Sequence, residues 1–244
     1  MTVTDPPPFL KLIAHTLRWQ ILQVLANSDL TVQEITAVLG QPQNLVSFHL
    51  HKLHQAQLIL EHQSIADARQ VYYGLNFPMV DELFQSLGEL LHPALANPPM
   101  RDAKKLENVR VLFLCTHNSA RSQMAEGILR AQSHNQIQVF SAGTDPLAVH
   151  PLAVRVMAEQ GIDLRQATSK SLDQFRNQSF DYIITVCDRA REKCPIFPGN
   201  PARIHWSIPD PTEASGTAEE RYKAFKEVAG QLTRRTRYLL KIFS

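Results

Sequence analysis

Apolar residues at Leu10, Ile13, Leu17, Ile21 and Leu25 recur three or four positions apart, which predicts an amphipathic helix over 9–26. Thr31, with Glu34 three residues on, opens a second apolar stripe that closes at Gly40. That is the signature of a capped helix with a glycine stop. Leu45, Phe48, Leu50 and Leu53 lie on or near one face of a third helix over 43–57. The period then changes. "LILEHQ" (58–63) and "RQVYYGLN" (69–76) read as strands joined by the polar "SIADA", hence a hairpin. A further amphipathic helix starts at Pro78 and runs to 92.

Residues 93–108, "PALANPPMRDAKKLEN", carry three prolines, no helical period and mixed charge, and read as a linker. Beyond it the pattern alternates. Strands "VRVLFLC", "IQVFSAG", "DYIITVC" and "ARIHW" are spaced by helical stretches near 122–133 and 149–160, and a long helix covers 217–242. Such alternation predicts a parallel sheet with helices on both faces. Ligands of such sheets sit beyond the carboxyl ends of strands, where Cys115 and Cys187 each close a predicted strand. The expected organisation is therefore a helix-rich domain over 1–92, a linker over 93–108 and an α/β domain over 109–244.

Charge sharpens this division. Residues 1–92 hold four Lys or Arg against eight Asp or Glu, a balance of −4, while the remainder hold 21 against 15, or +6. All three cysteines (Cys115, Cys187, Cys194) fall in the second part. An odd number of thiols argues for thiol chemistry over a disulfide framework. No apolar run reaches membrane-spanning length and no leader pattern is visible, so a cytoplasmic protein without membrane contact is expected. The three cysteines have no recognised zinc spacing, and no metal is expected.

Residues 115–121 read Cys-Thr-His-Asn-Ser-Ala-Arg. A strand delivers the sulfur of Cys115, and a loop of Thr116, His117, Asn118, Ser119 and Ala120 can turn its N–H groups inward as an anion nest. The following helix adds its N-terminal dipole, and Arg121 offers a planar fork to a tetrahedral oxyanion. Ser122 can donate to the sulfur, and Asn118 can stiffen the loop. These fields predict a thiol pKa well below neutrality. The competing reading is a buried cysteine acting as a small hydrophobe. Asp210, in "DPT", can likewise be a turn residue, and Cys187 and Cys194 can be packing residues.

The loop "CTHNSARSQMAEG", with "SAG" at 141–143, "VCDRAREKCP" at 186–195 and "HWSIPDPT" at 205–212, resembles low-molecular-weight tyrosine phosphatases. It is closer to their relatives, the thioredoxin-coupled arsenate reductases. The resemblance covers about 109–242 and implies a phosphatase-type fold with a four-stranded parallel sheet. It also implies reduction of arsenate by a relay. Cys115 attacks arsenic, Asp210 protonates the leaving oxygen, Cys187 attacks Cys115, and Cys194 resolves the disulfide for thioredoxin. The segment around Cys194 must then loop out. No tightly bound cofactor is implied. The family's potassium site is matched by Asn118, Glu126 and Ser141, but Lys170 stands where its acidic fourth ligand belongs. Thr212 replaces the aromatic residue that a tyrosine phosphatase usually carries after Asp-Pro. A phosphatase with a regulatory domain, or an oxyanion sensor without turnover, are the alternatives.

Residues 9–92 resemble ArsR-type winged helix-turn-helix repressors, on the strength of "LTVQEITAVLGQPQNLVSFHLHKLHQAQLI". The resemblance implies binding to double-stranded DNA and a homodimer through 9–26 and 78–92. Its recognition helix falls at about 43–56, with Gln43, Asn44, Ser47, His49, His51 and Lys52 as candidate contacts and Arg69 supporting the wing. Two features depart from the pattern. The domain is net acidic, although DNA binding is driven by phosphate neutralisation. It also has no cysteine, so it lacks the soft ligands that arsenic(III) prefers. A protein-interaction module is the other reading of this domain.

Overall fold

The structure is a computed structural model that describes residues 5–91 and 109–243, so the expected linker over 93–108 and the helix end at 92 lie outside the described residues. The chain divides into two compact units between Asp102 and Ala103.

In the first unit, α1 (Pro8–Ile13) and α2 (Thr16–Val24) replace the single helix expected over 9–26. The break has a local cause. His15 is extended, and its ring Nδ1 accepts the Leu17 N–H at 3.2 Å, capping a new helix. Next come β1 (Leu30–Thr31), α3 (Val32–Leu39), α4 (Gln43–Gln55), β2 (Ile59–Gln63), β3 (Val71–Leu75) and α5 (Phe77–Leu91). The expected capping box is present at α3, where Thr31 and Glu34 exchange side-chain and backbone hydrogen bonds. Gly40 closes α3 in the left-handed region, at φ 62°. The two-residue β1 carries no periodic signal, yet it extends the hairpin to an antiparallel sheet of order β1-β3-β2. Ile13, Leu17, Ile21, Leu25, Ile35 and Leu50 centre the core. On α4 the buried stripe is Val46, His49, Leu50 and Leu53, while Leu45 and Phe48 face outward, contrary to the sequence expectation.

The second unit holds β4 (Arg110–Cys115), α6 (Arg121–Gln132), β5 (Gln138–Gly143), α7 (Pro151–Glu159), β6 (Tyr182–Thr185), α8 (Asp188–Glu192), β7 (Ala202–His205) and α9 (Ala218–Phe243). The four strands are parallel in the order β5-β4-β6-β7. Successive residues of β4 face opposite sides. Val111, Phe113 and Cys115 join one core with α6, α7 and α9, and Leu112 and Leu114 join the other with Phe175, Phe180 and Phe197. The connection from β4 goes one way to β5, and the next returns across β4 to β6. The order reverses at the carboxyl end of β4, which is where Cys115 stands.

Candidate active site

The loop after β4 owes its shape to its carbonyl groups. Cys115 O accepts from Thr144 N, Thr116 O from Asp145 N, His117 O from Leu147 N and Ser119 O from His150 N, at 2.8–3.3 Å. Asn118 O accepts from Ser169 Oγ at 2.7 Å. In a trans peptide the next N–H points opposite its carbonyl. Holding the carbonyls of 115–119 outward therefore turns the N–H groups of 116–120 inward, where they form a nest. Asn118 pays for its place with a positive φ of 47°, and its side chain is bonded on every side. Its Nδ2 donates to Ser122 Oγ at 2.9 Å and Ser141 Oγ at 2.8 Å, and its Oδ1 accepts from Gln123 Nε2 and Lys170 N.

Gly143 explains "SAG". A Cβ there would lie 2.6 Å from Thr116 O, 2.8 Å from Asn118 N and 2.9 Å from the His117 carbonyl carbon. All three are backbone atoms, so no side chain can move aside. Sequence reasoning matched the motif without seeing this space requirement. It also missed Gln123, Ser169 and the 144–150 strip, because backbone pairing between distant loops leaves no periodic trace.

Cys115 is 3 % exposed. Its sulfur accepts Asn118 N at 3.0 Å and lies 2.9 Å from Ser122 Oγ. Arg121, buried at the start of α6, donates to Ile208 O at 2.9 Å and to Asp210 Oδ2. Asp210 Oδ1 accepts from the N–H and hydroxyl of Thr212. The sequence expectation of a thiol pKa below neutrality is corrected here. Burial pushes the Cys115 thiol up, and the nearby Cys187 adds to this; Arg121, Ser122 and the Asn118 N–H only partly oppose them. The physical reason is burial, which disfavours the thiolate more than Arg121 and two hydrogen bonds favour it.

Cys187 lies two residues beyond β6, not at its end as expected, and forms the N-cap of α8. Its sulfur accepts Ala190 N at 3.4 Å and is 3.4 Å from Thr116 Oγ1, so it borders the loop. Cys194 does not join them. It packs against the opposite core, the one that holds Phe180 and Phe197, and α8 separates it from Cys187 in the chain. All three thiols are free. His117 is placed at the rim, its Nδ1 3.0 Å from Asp145 O. Near the loop, Lys170 Nζ donates to Glu126 Oε2 at 3.3 Å, and Ser141 Oγ donates to the same oxygen at 2.5 Å. The ammonium thus supplies positive charge against Glu126. Among the described residues, no group of three or more potential ligands that could hold a metal is found.

In the first unit, Gln43, Asn44, Ser47, His51 and Lys52 are exposed on α4. His49 is not. It is 4 % exposed, its ring lies 4.4 Å from that of His15, and burial pushes its pKa down. Its place on the Val46–Leu53 stripe removes it from the candidate contact set. Arg69 is exposed but is held by both oxygens of Asp67 at 3.0 Å, so its charge is largely matched. Phe48, 55 % exposed with Lys52 Nζ 5.7 Å above its ring, is an outward residue that sequence reasoning had placed in the core. No helix among the described residues is long and apolar enough to cross a membrane.

The comparisons with known proteins agree with this geometry. Residues 16–60 match the arsR family of bacterial regulatory proteins. An arsenate reductase of Halalkalibacterium halodurans is 42% identical over 125 residues, covering 51% of this chain and 90% of the relative. One of Bacillus subtilis is 39% identical over 130 residues, covering 53% of this chain and 94% of the relative. Residues 110–243 match the low molecular weight phosphotyrosine protein phosphatase family, and the chain belongs to that family.

Proposed function

We propose that the second unit reduces arsenate to arsenite by a thiol relay and that the first unit is a DNA-binding regulator fused to it. The observation that carries the enzymatic reading is the pairing of an oxyanion nest over Cys115 with a second thiol, Cys187, at its border. A phosphatase needs the first and has no use for the second.

The steps follow from the groups present. Arsenate enters the nest and takes over Arg121, which releases Asp210. The proton of the Cys115 thiol passes by way of the bound oxyanion to the freed Asp210 carboxylate, which leaves a thiolate and a carboxylic acid. Cys115 forms a bond to arsenic as Asp210 protonates the departing oxygen, which leaves as water. Cys187 then attacks the sulfur of Cys115. The electron pair of the As–S bond stays on arsenic, giving arsenite and a Cys115–Cys187 disulfide. Cys194 attacks Cys187, freeing Cys115 as thiolate. The five helical residues of α8 hold Cys187 and Cys194 at its opposite ends; seven residue steps at the helical rise span roughly 10 Å, beyond the Cα separation a disulfide bridges, so α8 must unwind for this step. The exposed Arg189, Glu192 and Lys193 make that unwinding inexpensive. Thioredoxin, or a dithiol protein like it, then reduces Cys187–Cys194.

The exposed side chains Gln43, Asn44, Ser47, His51 and Lys52 support α4 as the recognition helix for double-stranded DNA. Trp19, Phe84, Leu90 and Leu91 expose apolar surface on α2 and α5 and support a homodimer through those helices. Such a cysteine relay and repressor belong in the cytoplasm.

The test is arsenate-dependent NADPH oxidation by the full chain with thioredoxin and thioredoxin reductase. The native chain turns over, and Cys115→Ser leaves under about 1% of that rate, since a serine hydroxyl is hardly ionised. Comparable turnover in both proteins would refute the reading.

A further inference from the structure

The relay leaves one buried polar cluster unused. Asp188 follows Cys187 directly and is the first residue of α8. It is 2% exposed, and its Oδ1 accepts from Ser207 Oγ at 2.8 Å and from His205 Nε2 at 3.1 Å. His205 Nδ1 lies 2.8 Å from Thr185 Oγ1, and the two residues are register partners at the ends of β7 and β6. A buried carboxylate is tolerated only when it is bonded, and bonds to a charged acceptor are the strong ones. The start of α8 is therefore tied to the sheet.

The other end of α8 is held differently. Glu192 and Lys193 are exposed, and Cys194, half-buried against the core of Phe180 and Phe197, has a 3.8 Å contact from Sγ to Pro195 O, which also accepts from exposed Arg203 at 2.9 Å. Ile196 is 89% exposed. Local opening begins where few buried contacts resist it. One end of this short helix is fixed by buried bonds to a carboxylate, and the other is held only by half-buried packing and exposed backbone contacts, so it is the weaker end.

We propose that Asp188, His205 and Ser207 form a post that keeps Cys187 aimed at Cys115 while the Cys194 end of α8 unwinds. They are positioning residues, acting through the backbone of Cys187. The inference rests on the relay reading. It gives the two attacks their order. Cys187 must be in line with the S–As bond before α8 opens, and Cys194 must arrive only after it has opened. A post at one end of the helix satisfies both.

The test uses the full chain carrying Cys194→Ser, in which one equivalent of arsenate leaves a Cys115–Cys187 disulfide that peptide mass spectrometry follows in time. Adding Asp188→Asn slows this bond by about ten- to a hundredfold, the range that misplacement of a reacting group costs. Hydrolysis of p-nitrophenyl phosphate stays within about twofold, because it needs no second thiol. That control matters because Ser207 and Asp210 share one segment. Ser207→Ala is the milder variant, slowing the bond about fivefold for one lost hydrogen bond, and Ser207→Thr restores it. A parental rate of disulfide formation in both Asp188→Asn and Ser207→Ala overturns the proposal. So does a parallel fall of hydrolysis and disulfide formation, which would mark general support of the fold. If the Cys194→Ser parent forms no Cys115–Cys187 bond, the relay itself is refuted, and the post with it.

Discussion

The oxyanion loop and α4 are both polar stretches that lead into or form a helix, yet they are built in opposite ways. In the loop, five consecutive carbonyls are bonded to residues of 144–150 and Ser169, and Asn118 is bonded on all sides. Its function lies in the backbone, and the side chains serve to hold it. On α4 the backbone is an ordinary helix, and the candidate contacts are exposed side chains. The loop is thus shaped before its ligand arrives, whereas on α4 the backbone is fixed and the candidate side chains are exposed. Preorganised N–H groups cost no reorganisation when charge arrives, which suits catalysis. Exposed side chains on a rigid helix suit a groove whose edges vary with sequence.

Gly143→Ala puts the largest strain on this comparison. The added methyl meets three backbone atoms of the loop, so the nest must distort. Arsenate turnover falls by at least about a hundredfold, while DNA affinity in a mobility-shift titration is unchanged. Turnover within a few fold of the native chain would show that the loop is not held as described.

A smaller effect concerns the sulfur. In oxyanion-free buffer, burial and Cys187 keep the Cys115 thiol above its ordinary range, with Arg121 paired to Asp210. Asp210→Asn removes the carboxylate and leaves the guanidinium uncompensated. The thiolate is then favoured, and the midpoint of iodoacetamide alkylation against pH moves down. A midpoint that stays or rises would mean that the Arg121–Asp210 pair does not govern the thiol.

The mildest change is on α4. Lys52→Ala removes an exposed charge without touching the Val46–Leu53 stripe. Affinity falls for all DNA sequences alike, and the slope of log K against log salt shrinks by about one. An unchanged slope would place Lys52 away from phosphate.

These contrasts also govern what the sequence could reveal. A capping box is local, and Thr31–Glu34 was legible from spacing alone; Cys115 and Arg121 stood out only through the strand before them, the helix after them and the downstream motifs, since their spacing by itself is common. The order of the longer helices and strands in both units was legible too, since it rests on hydrophobic period, whereas the two-residue β1 and the five-residue α8 are too short to carry one. The break at His15 was not, because one imidazole accepting one N–H outweighs an unbroken apolar stripe. His49 was misread as a groove residue, although it stands three residues after Val46 and four before Leu53, a spacing that signals burial. Gly143 and Ser169 act across loops distant in sequence, and no local pattern encodes that. The pairing of Arg69 with Asp67 is an exposed contact two residues apart, visible only once the wing is folded.

The central claim is that a second thiol turns an oxyanion nest into a reductase. The most direct measurement compares Cys187→Ser with the native full chain in two assays: arsenate reduction coupled to thioredoxin, and hydrolysis of p-nitrophenyl phosphate. The account predicts that Cys187→Ser loses arsenate reduction and keeps hydrolysis, because Cys115, Arg121 and Asp210 are untouched. Continued thioredoxin-coupled reduction of arsenate by Cys187→Ser would contradict it.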